Sequence, residues 1–438
     1  MQQLKDLSKE EQELIKIKVA GSKLYLQARS FNRNFEAVMK GLLRVSGKKY
    51  TLELTVLIAS AISALKLNDL GLSYTRDKGK YLAFNNKQPK GRKSSYRRTL
   101  DLFEILEDTG YIENFVGFKD VENNQSMPAI ILFTDKFIDL FDKNMLVQYG
   151  EVIPQPEVII KDSQGIILKN TKEAKSKEEV VREINNWLST HTFNFGVLDK
   201  VFNLQRIFKY NKLATALGAG RFYFGALQTI RKGKRRLFKI DGCPVTERDI
   251  VSNHMMLIAE LEGVILPEGF RPYSVDVSDL ITCEDESKIR PLLKFCCMLL
   301  INSGSSKASF TKAWKSNLTL IDKEIKEGNW NKAQENLFYG ISGIRNAKKV
   351  VERVAEHNAY ANKYFNVKSG SWDRLQLLDS EIMLETMLMM RAVDKPLIPY
   401  HDSAVCKEQD GDYLEYCIST AWKKIIGTNH NCILTKKY

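Results

Sequence analysis

The C-terminal half of the chain carries long apolar periods of helical spacing at 290–302, 306–326, 343–364 and 376–392, and every strand signal near them is short. The strand signals fall at 221–227, at 238–240 and in the pair 397–400 and 404–406. Shorter helical periods lie at 181–188 and 255–261. A helix with one apolar stripe must bury it against a neighbouring element, and short strands supply only a small sheet to share that core. The order fits a mostly helical α+β domain carrying a small antiparallel sheet. The pair 397–400 and 404–406 reads as a hairpin with His401-Asp402-Ser403 at its turn.

The N-terminal part has a different rhythm. Residues 8–45 read as helical, with Ser8 as N-cap and Glu11 completing a capping box. A second helical pattern covers 51–67, and a third covers 94–108 with Leu100, Phe103, Ile105 and Leu106 on its apolar side. Gly110 provides a left-handed stop. Strands are expected at 111–115 and 129–134, separated by a polar loop at 119–126, and 137–141 begins another helix. Helix, strand, polar loop, strand resembles a winged-helix module, in which one helix enters a groove and the loop touches the backbone. Arg92, Lys93, Arg97 and Arg98 would open that recognition helix.

Between the halves, residues 150–180 hold Pro154, Pro156 and a charged run at 172–179, which reads as a linker. The expected division is therefore a nucleic-acid-binding domain at 1–150, a linker at 151–180 and a second domain at 181–438. No internal repeat or low-complexity tract interrupts it.

Charge narrows the choice of partner. The 438 residues include 66 Lys and Arg against 53 Asp and Glu, a net charge of +13. From Arg76 to Arg98 there are nine bases and one acid, Asp77, interleaved with Tyr81, Phe84 and Tyr96. A second basic cluster follows at 231–236. Clustered cations suit phosphates and aromatic faces suit stacked bases, so a nucleic acid is the expected polyanion. A hydrophobic content of 44% excludes a disordered tail protein, a collagen-like chain or a small disulfide scaffold. The apolar runs at 55–65 and 295–301 are too short to span a membrane. The start, Met1-Gln-Gln-Leu-Lys5, lacks an apolar signal region, so an intracellular, cytoplasmic protein is expected.

Seven cysteines, an odd number with no C-x-x-C, argue against a disulfide framework or a thiolate zinc site. Five histidines show no H-E-x-x-H and no close pair. A metal would therefore be held by carboxylates, which favours Mg²⁺ or Mn²⁺.

Three features carry the chemistry: Asp249 followed by Ser252 and His254, then Arg290 and Lys294 four apart on one helix face, then His401-Asp402 at the hairpin turn. Singly each has a bland reading, respectively a turn residue, a solvated basic face and a chance dipeptide. Together they suit phosphoryl transfer. Two cations about 4 Å apart need carboxylates from two strands, and Asp249 and Asp402 are the candidates. Arg290 and Lys294 would neutralise a nucleoside triphosphate, with Lys294 placed to protonate the leaving pyrophosphate.

In this order the residues resemble the palm and fingers of family A DNA polymerases and single-subunit phage-type RNA polymerases. Asp249 matches the first palm motif, Arg290-x-x-x-Lys294 the fingers helix, and His401-Asp402-Ser403 the RNA-type form of the second palm motif. Gly220-Arg221 is similar to the dipeptide that holds primer and template, and 375–382 is similar to the helix before the second palm motif. Arg206-Ile-Phe208, Gly220-Arg-Phe-Tyr223 and Asp249-x-x-Ser252-x-His254 resemble polymerase-like proteins of phages and mobile elements.

The resemblance implies a right-hand polymerase-like palm with helical fingers and thumb, using two Mg²⁺ or Mn²⁺ ions. It implies DNA, single-stranded or primed, and nucleoside triphosphates as partners. It also implies contacts of Arg221 and His401 with nucleic acid, and of Arg290, Lys294, Asn302 and His254 with the nucleotide. Asn302 stands where the family carries Tyr, Met298 where the DNA enzymes often carry Phe, and His254 where they carry a sugar-gating Glu. The choice between dNTP and NTP is left open. No clustered acids suggest a proofreading exonuclease; Asp120-Val-Glu122 falls in the polar loop.

Two other classes are to be weighed. A DNA-binding replication initiator or regulator with a catalytically degenerate palm is favoured by Asn302 and His254, and a nuclease needs only the two carboxylates. The remaining expectations are structural. Met383–Met390 reads as a core helix face, Cys296-Cys297 as packing, and Lys436-Lys437-Tyr438 as a frayed end.

Overall fold

A computed structural model describes residues 2–19, 36–66, 68–79, 81, 95–120, 125–141, 157–161, 167–168, 172–196, 199–200, 204–211, 216–224, 228, 230, 232–283, 286–336, 338–339, 341–342, 347–367 and 371–438. The fold is α+β, mostly helical with small sheets. Two units divide it. One gathers Met1–Glu157, Glu178–Gln205 and Tyr223–Val245, and the other Val158–Lys177, Arg206–Phe222 and Thr246–Tyr438.

In the first unit the capping box forms as read. The Ser8 amide donates to Glu11 Oε2 at 2.8 Å and the Glu11 amide to Ser8 Oγ at 3.2 Å, opening helix Lys9–Val19. Helices Glu36–Ser46 and Thr51–Lys66 follow; the rest of the expected 8–45 helix, residues 20–35, lies outside the described residues. Ser95 Oγ accepts from the Arg98 amide at 3.3 Å and starts helix Tyr96–Asp108. Gly110, at φ +73, ends it in the left-handed conformation that a β-carbon disfavours.

The sheet beside these helices orders Gln2–Gln3, Ile112–Val116, Ala129–Phe133 and Gly71–Tyr74, antiparallel except for the first pair. Leu54, Leu57, Ile58, Leu102, Phe103, Leu106 and Ile131 form its core. The expected polar loop at 119–126 is partly strand, since Phe118–Asp120 pairs with Gln125–Met127. Phe118 and Met127 join a small apolar cluster with Leu4 and Phe115, and that burial carries the pairing outward.

The second unit holds two larger sheet regions, besides the two-stranded pair of Thr282–Cys283 with Ile341–Ser342. In one, Val158–Lys161 runs parallel to Gln205–Asn211, which neighbours Ala216–Tyr223. The stretch expected as a linker thus contributes a strand, because Val158 and Ile160 alternate into the core. In the other, strand Cys243–Ile250 lies beside Ser403–Lys407, with Leu397–Tyr400 beyond and Leu434–Lys436 along the other edge. Lys436-Lys437-Tyr438 is therefore not frayed; a continuing strand and three hydrogen bonds hold it.

Helices Ser371–Ala392 and Gly411–Ile426 pack against this sheet, and Ile289–Asn302, Ser306–Lys326 and Ala347–His357 pack on one another. The expected helix at 343–364 breaks at Asn358, whose buried Nδ2 donates to Val354 O and Pro272 O before a 3-10 turn at Ala359–Tyr364. Cys296, Cys297, Met383, Met387 and Met390 are buried as packing residues. Among the described residues no helix is long and apolar enough to cross a membrane.

Candidate active site

Strand Cys243–Ile250 delivers Asp249 to its end, and the chain turns within two residues into helix Asn253–Leu261. Ser252 makes that turn at φ +52. In the hairpin, Tyr400 registers with Ser403, so His401 and Asp402 form a two-residue turn, with His401 at φ +61. The Ile250 amide donates to the Asp402 carbonyl at 3.0 Å and ties the turn to the end of the Asp249 strand. Left-handed backbone costs a non-glycine residue roughly 1–2 kcal/mol, and here it occurs at His401, beside Asp402, and at Ser252, three residues after Asp249. The Ser403 hydroxyl donates to buried Glu247 at 2.8 Å, which gives the third residue of the His-Asp-Ser triplet a structural task.

Electrostatics couple the carboxylates. Burial, then the negative charges of Asp379 and Asp249, push the Asp402 carboxyl up to about 6, against the pull of Arg221. Asp249 Oδ2 lies 3.0 Å from Lys437 Nζ. Asp379 is buried and fully engaged. Its Oδ2 accepts from Arg221 Nε at 2.9 Å and faces Arg221 Nη2 at 2.8 Å, and its Oδ1 accepts from Asn253 Nδ2 at 2.7 Å.

Arg221 Nη2 also lies 3.2 Å from His254 Nε2. A guanidinium only donates, so this ring nitrogen accepts and the imidazole is neutral. Its surroundings favour the same state. Burial lowers His254 to about 4, and Arg221 and Lys294 oppose its protonation further, while Asp379 works in the other direction.

The Gly220-Arg221 pair is locked from below. Gly220 sits at φ +74, and a β-carbon there would lie 2.6 Å from the Phe208 ring. Buried Arg206 donates to Gly220 O at 2.7 Å, to Ser380 Oγ at 3.1 Å and to Glu381 Oε1 at 2.8 Å. Its guanidinium lies 4.8 and 5.0 Å from the ring centres of Phe208 and Phe222. Arg206 therefore fixes strand Ala216–Tyr223 against the helix that carries Asp379.

Helix Ile289–Asn302 buries Leu292, Leu293, Cys296, Cys297 and Leu300 and exposes Arg290, Lys294 and Met298 on the opposite side. Lys294 is close enough for its charge to act on His254. Arg290 reaches the site through Tyr273, with its guanidinium 5.7 Å from the ring centre. Burial holds the Tyr273 hydroxyl above its ordinary pKa, and the charge of Asp402 adds to the shift.

Asp249, Asp402, Arg221, His254 and Lys294 thus share one electrostatic neighbourhood. Asn302 is exposed at the far end of the helix, about 12 Å along the axis from Lys294. In the first unit Arg97 and Arg98 are exposed at the start of helix Tyr96–Asp108, and Arg98 Nε lies 3.7 Å from buried Glu53. Arg92 and Lys93 lie outside the described residues.

Four further residues belong to the site: Asp379, Asn253, Tyr273 and Lys437. The resemblance of 375–382 to a family helix contained Asp379, but no spacing rule pairs it with Arg221. Tyr273 and Lys437 sit in segments without any motif.

Among the described residues no group of three or more His, Cys, Asp or Glu is gathered to hold a metal. The pair Asp249 and Asp402 nonetheless fits a divalent cation in charge. Burial and the charges of Asp379 and Asp249 raise Asp402, and Asp249 already draws a cation in Lys437. Two carboxylates leave most of a hard cation's oxygen positions to water and to the substrate.

No protein-family model matches the chain, and no curated protein matches it. Among solved structures it is similar to the POL domain of Pol1 from M. smegmatis in complex with DNA primer-template and dNTP. The identity is 12% and the TM-score 0.28, over 98% of this chain and 68% of that chain.

Proposed function

We propose that this protein is a template-directed nucleotidyltransferase of the kind used in phage or mobile-element replication, acting on DNA by two-cation chemistry. The observation that carries the proposal is the junction of Asp249 and Asp402, brought from a strand end and a strained hairpin turn to one place and bordered by the cations of Arg221 and Lys294.

Asp249 and Asp402 would hold Mg²⁺ or Mn²⁺. Bound there, the cations would lower the pKa of an attacking 3′-hydroxyl and offset charge on the phosphoryl group. Arg290 and Lys294 would neutralise the triphosphate, and Lys294 would give its proton to the departing pyrophosphate oxygen. Neutral His254, fixed by Arg221, would offer its remaining N–H toward the sugar. Asn302 would contact the nucleotide from the end of the fingers helix. Arg221 and His401 would touch primer and template.

The domain scheme belongs to the same reading. Residues 1–150 would form the nucleic-acid-binding domain and 181–438 the palm and fingers, with 151–180 as a linker that lends its strand Val158–Lys161 to the sheet of Gln205–Asn211. The strand order of the first unit, with the Gly71–Tyr74 strand beside Ala129–Phe133 and that beside Ile112–Val116, supports a winged helix. Its recognition helix would carry Arg92, Lys93, Arg97 and Arg98.

The test is an extension assay on single-stranded and primed DNA, with Mg²⁺ or Mn²⁺ and either dNTPs or NTPs, using Asp402→Asn as blank. Product from wild type alone is expected. The Lys437 contact on Asp249 favours a second reading, a replication initiator or regulator with a degenerate palm. Tight DNA binding without product under any of these conditions would establish that alternative.

A further inference from the structure

Resting on the nucleotidyltransferase reading, we propose that Lys437 is a built-in counter-ion of Asp249 that competes with the divalent cation and sets the concentration at which the site loads. The placement of Lys437 is enforced along its own segment. Strand Leu434–Lys436 pairs antiparallel with the Asp249 strand, in the register Ile250 with Leu434, Asp249 with Thr435 and Arg248 with Lys436.

Beyond that strand the chain is held at three points. The Lys437 amide donates to Glu247 O at 3.1 Å, the Tyr438 hydroxyl donates to Glu247 Oε2 at 3.2 Å, and Thr246 Oγ1 donates to Tyr438 O at 2.5 Å. Glu247 is itself fully buried and accepts from Ser403, next to Asp402. The backbone on both sides of the Lys437 side chain is thus fixed to the strand that presents Asp249. The ammonium need search only its own rotamers to reach the carboxylate 3.0 Å away.

The two side chains differ in their access to water. The Lys437 side chain is 34% exposed and that of Asp249 14%. A carboxylate so covered loses much of its hydration and gains from a resident cation, which keeps the site ordered before substrate arrives. The half-open ammonium can turn into solvent on its flexible stem when a doubly charged competitor arrives. Because the ammonium is tethered, it competes at a fixed local concentration, so free dications must rise to displace it.

The experiment is a Mn²⁺ titration without nucleotide, following the paramagnetic signal of free Mn²⁺. It compares wild type with Lys437→Met, Lys437→Gln and Lys437→Arg, and uses Asp249→Asn as the control. Lys437→Met and Lys437→Gln should each tighten Mn²⁺ binding about five-fold, the scale of a partly screened ion pair. Lys437→Arg, which keeps the charge, should bind near the wild-type value. Thermal unfolding confirms which variants are folded, and Gln keeps the polarity that Met removes.

Folded Lys437→Met and Lys437→Gln with wild-type Mn²⁺ affinity, in a protein whose binding is lost in Asp249→Asn, would overturn the counter-ion role and leave the cation site standing. Wild type that binds no Mn²⁺ at this carboxylate would overturn both.

Discussion

The two units use charge in opposite ways. In the second unit, beside the exposed Arg290 and Lys294, three cations are spent inward: Arg206, Arg221 and Lys437 each face a carboxylate at 3.0 Å or less. In the first unit the cations are spent outward. Arg97 is exposed on helix Tyr96–Asp108, and even Arg98, drawn toward Glu53, keeps about half its side-chain surface in water. Buried pairs fix geometry and are expensive to break, whereas exposed cations supply a long-range attraction that salt screens. On the proposed reading, precision belongs to one unit and non-specific grip to the other.

The sharpest way to break that contrast is to neutralise the pair at the junction. Asp402→Asn, or Asp249→Asn, should lower extension by about 10³-fold or more, roughly 4 kcal/mol of barrier, in single-turnover assays at saturating nucleotide. DNA binding should survive, since it would rest on the other unit. Extension at the wild-type rate in either variant would remove the carboxylates from the chemistry.

Next in size is Asp379→Ala. It leaves Arg221, whose side chain is 16% exposed, facing an empty space, and frees Asn253 as well. A buried charge stripped of its partner costs about 3 kcal/mol or more, read as a lower urea midpoint with an unchanged slope. Asp379→Asn, which keeps the shape and one acceptor, should lose less. Equal losses would mean that the lost charge, rather than the vacated space, carries the effect.

This contrast also explains what could be read from the amino-acid order. Asp249, Arg290, Lys294 and Asp402 were legible because each sits at a local feature with its own signature, a strand end, a helix face or a turn. The capping box of Ser8 and Glu11 and the stop at Gly110 were legible for the same reason. Asp379, Tyr273 and Lys437 were not, because their roles depend on partners 158, 129 and 188 residues away respectively. Lys437 carried the misleading signal of a short basic end, and only the pairing of Leu434–Lys436 with the Asp249 strand overrides it. The strand at Val158–Lys161 was hidden by the charged and proline-containing residues around it.

A gentler probe uses pH. Asp402 titrates at about 6 in the fold against 3.8 ordinarily, so between those values the native state holds the extra proton and stability falls as pH rises. His254 titrates at about 4 against 6.5, so there the unfolded state holds the extra proton and stability falls as pH drops. The two slopes oppose each other. In cation-free buffer between pH 4.5 and 6.5, Asp402→Asn should gain stability with rising pH more steeply than wild type, and His254→Gln should gain less than wild type. Parallel curves for all three proteins would show that the two groups titrate normally and are open to water.

The smallest effect belongs to the outward-facing unit. Arg97→Ala removes one exposed cation from the helix proposed to meet DNA. If the unit grips the phosphate backbone, the substitution should weaken binding for every sequence alike and reduce the slope of log affinity against log salt by about 1. Extension from saturating primed template should be unchanged, because the carboxylate junction is untouched. A loss confined to one DNA sequence would instead identify a base contact, and the first unit would then share the precision that the contrast reserves for the second.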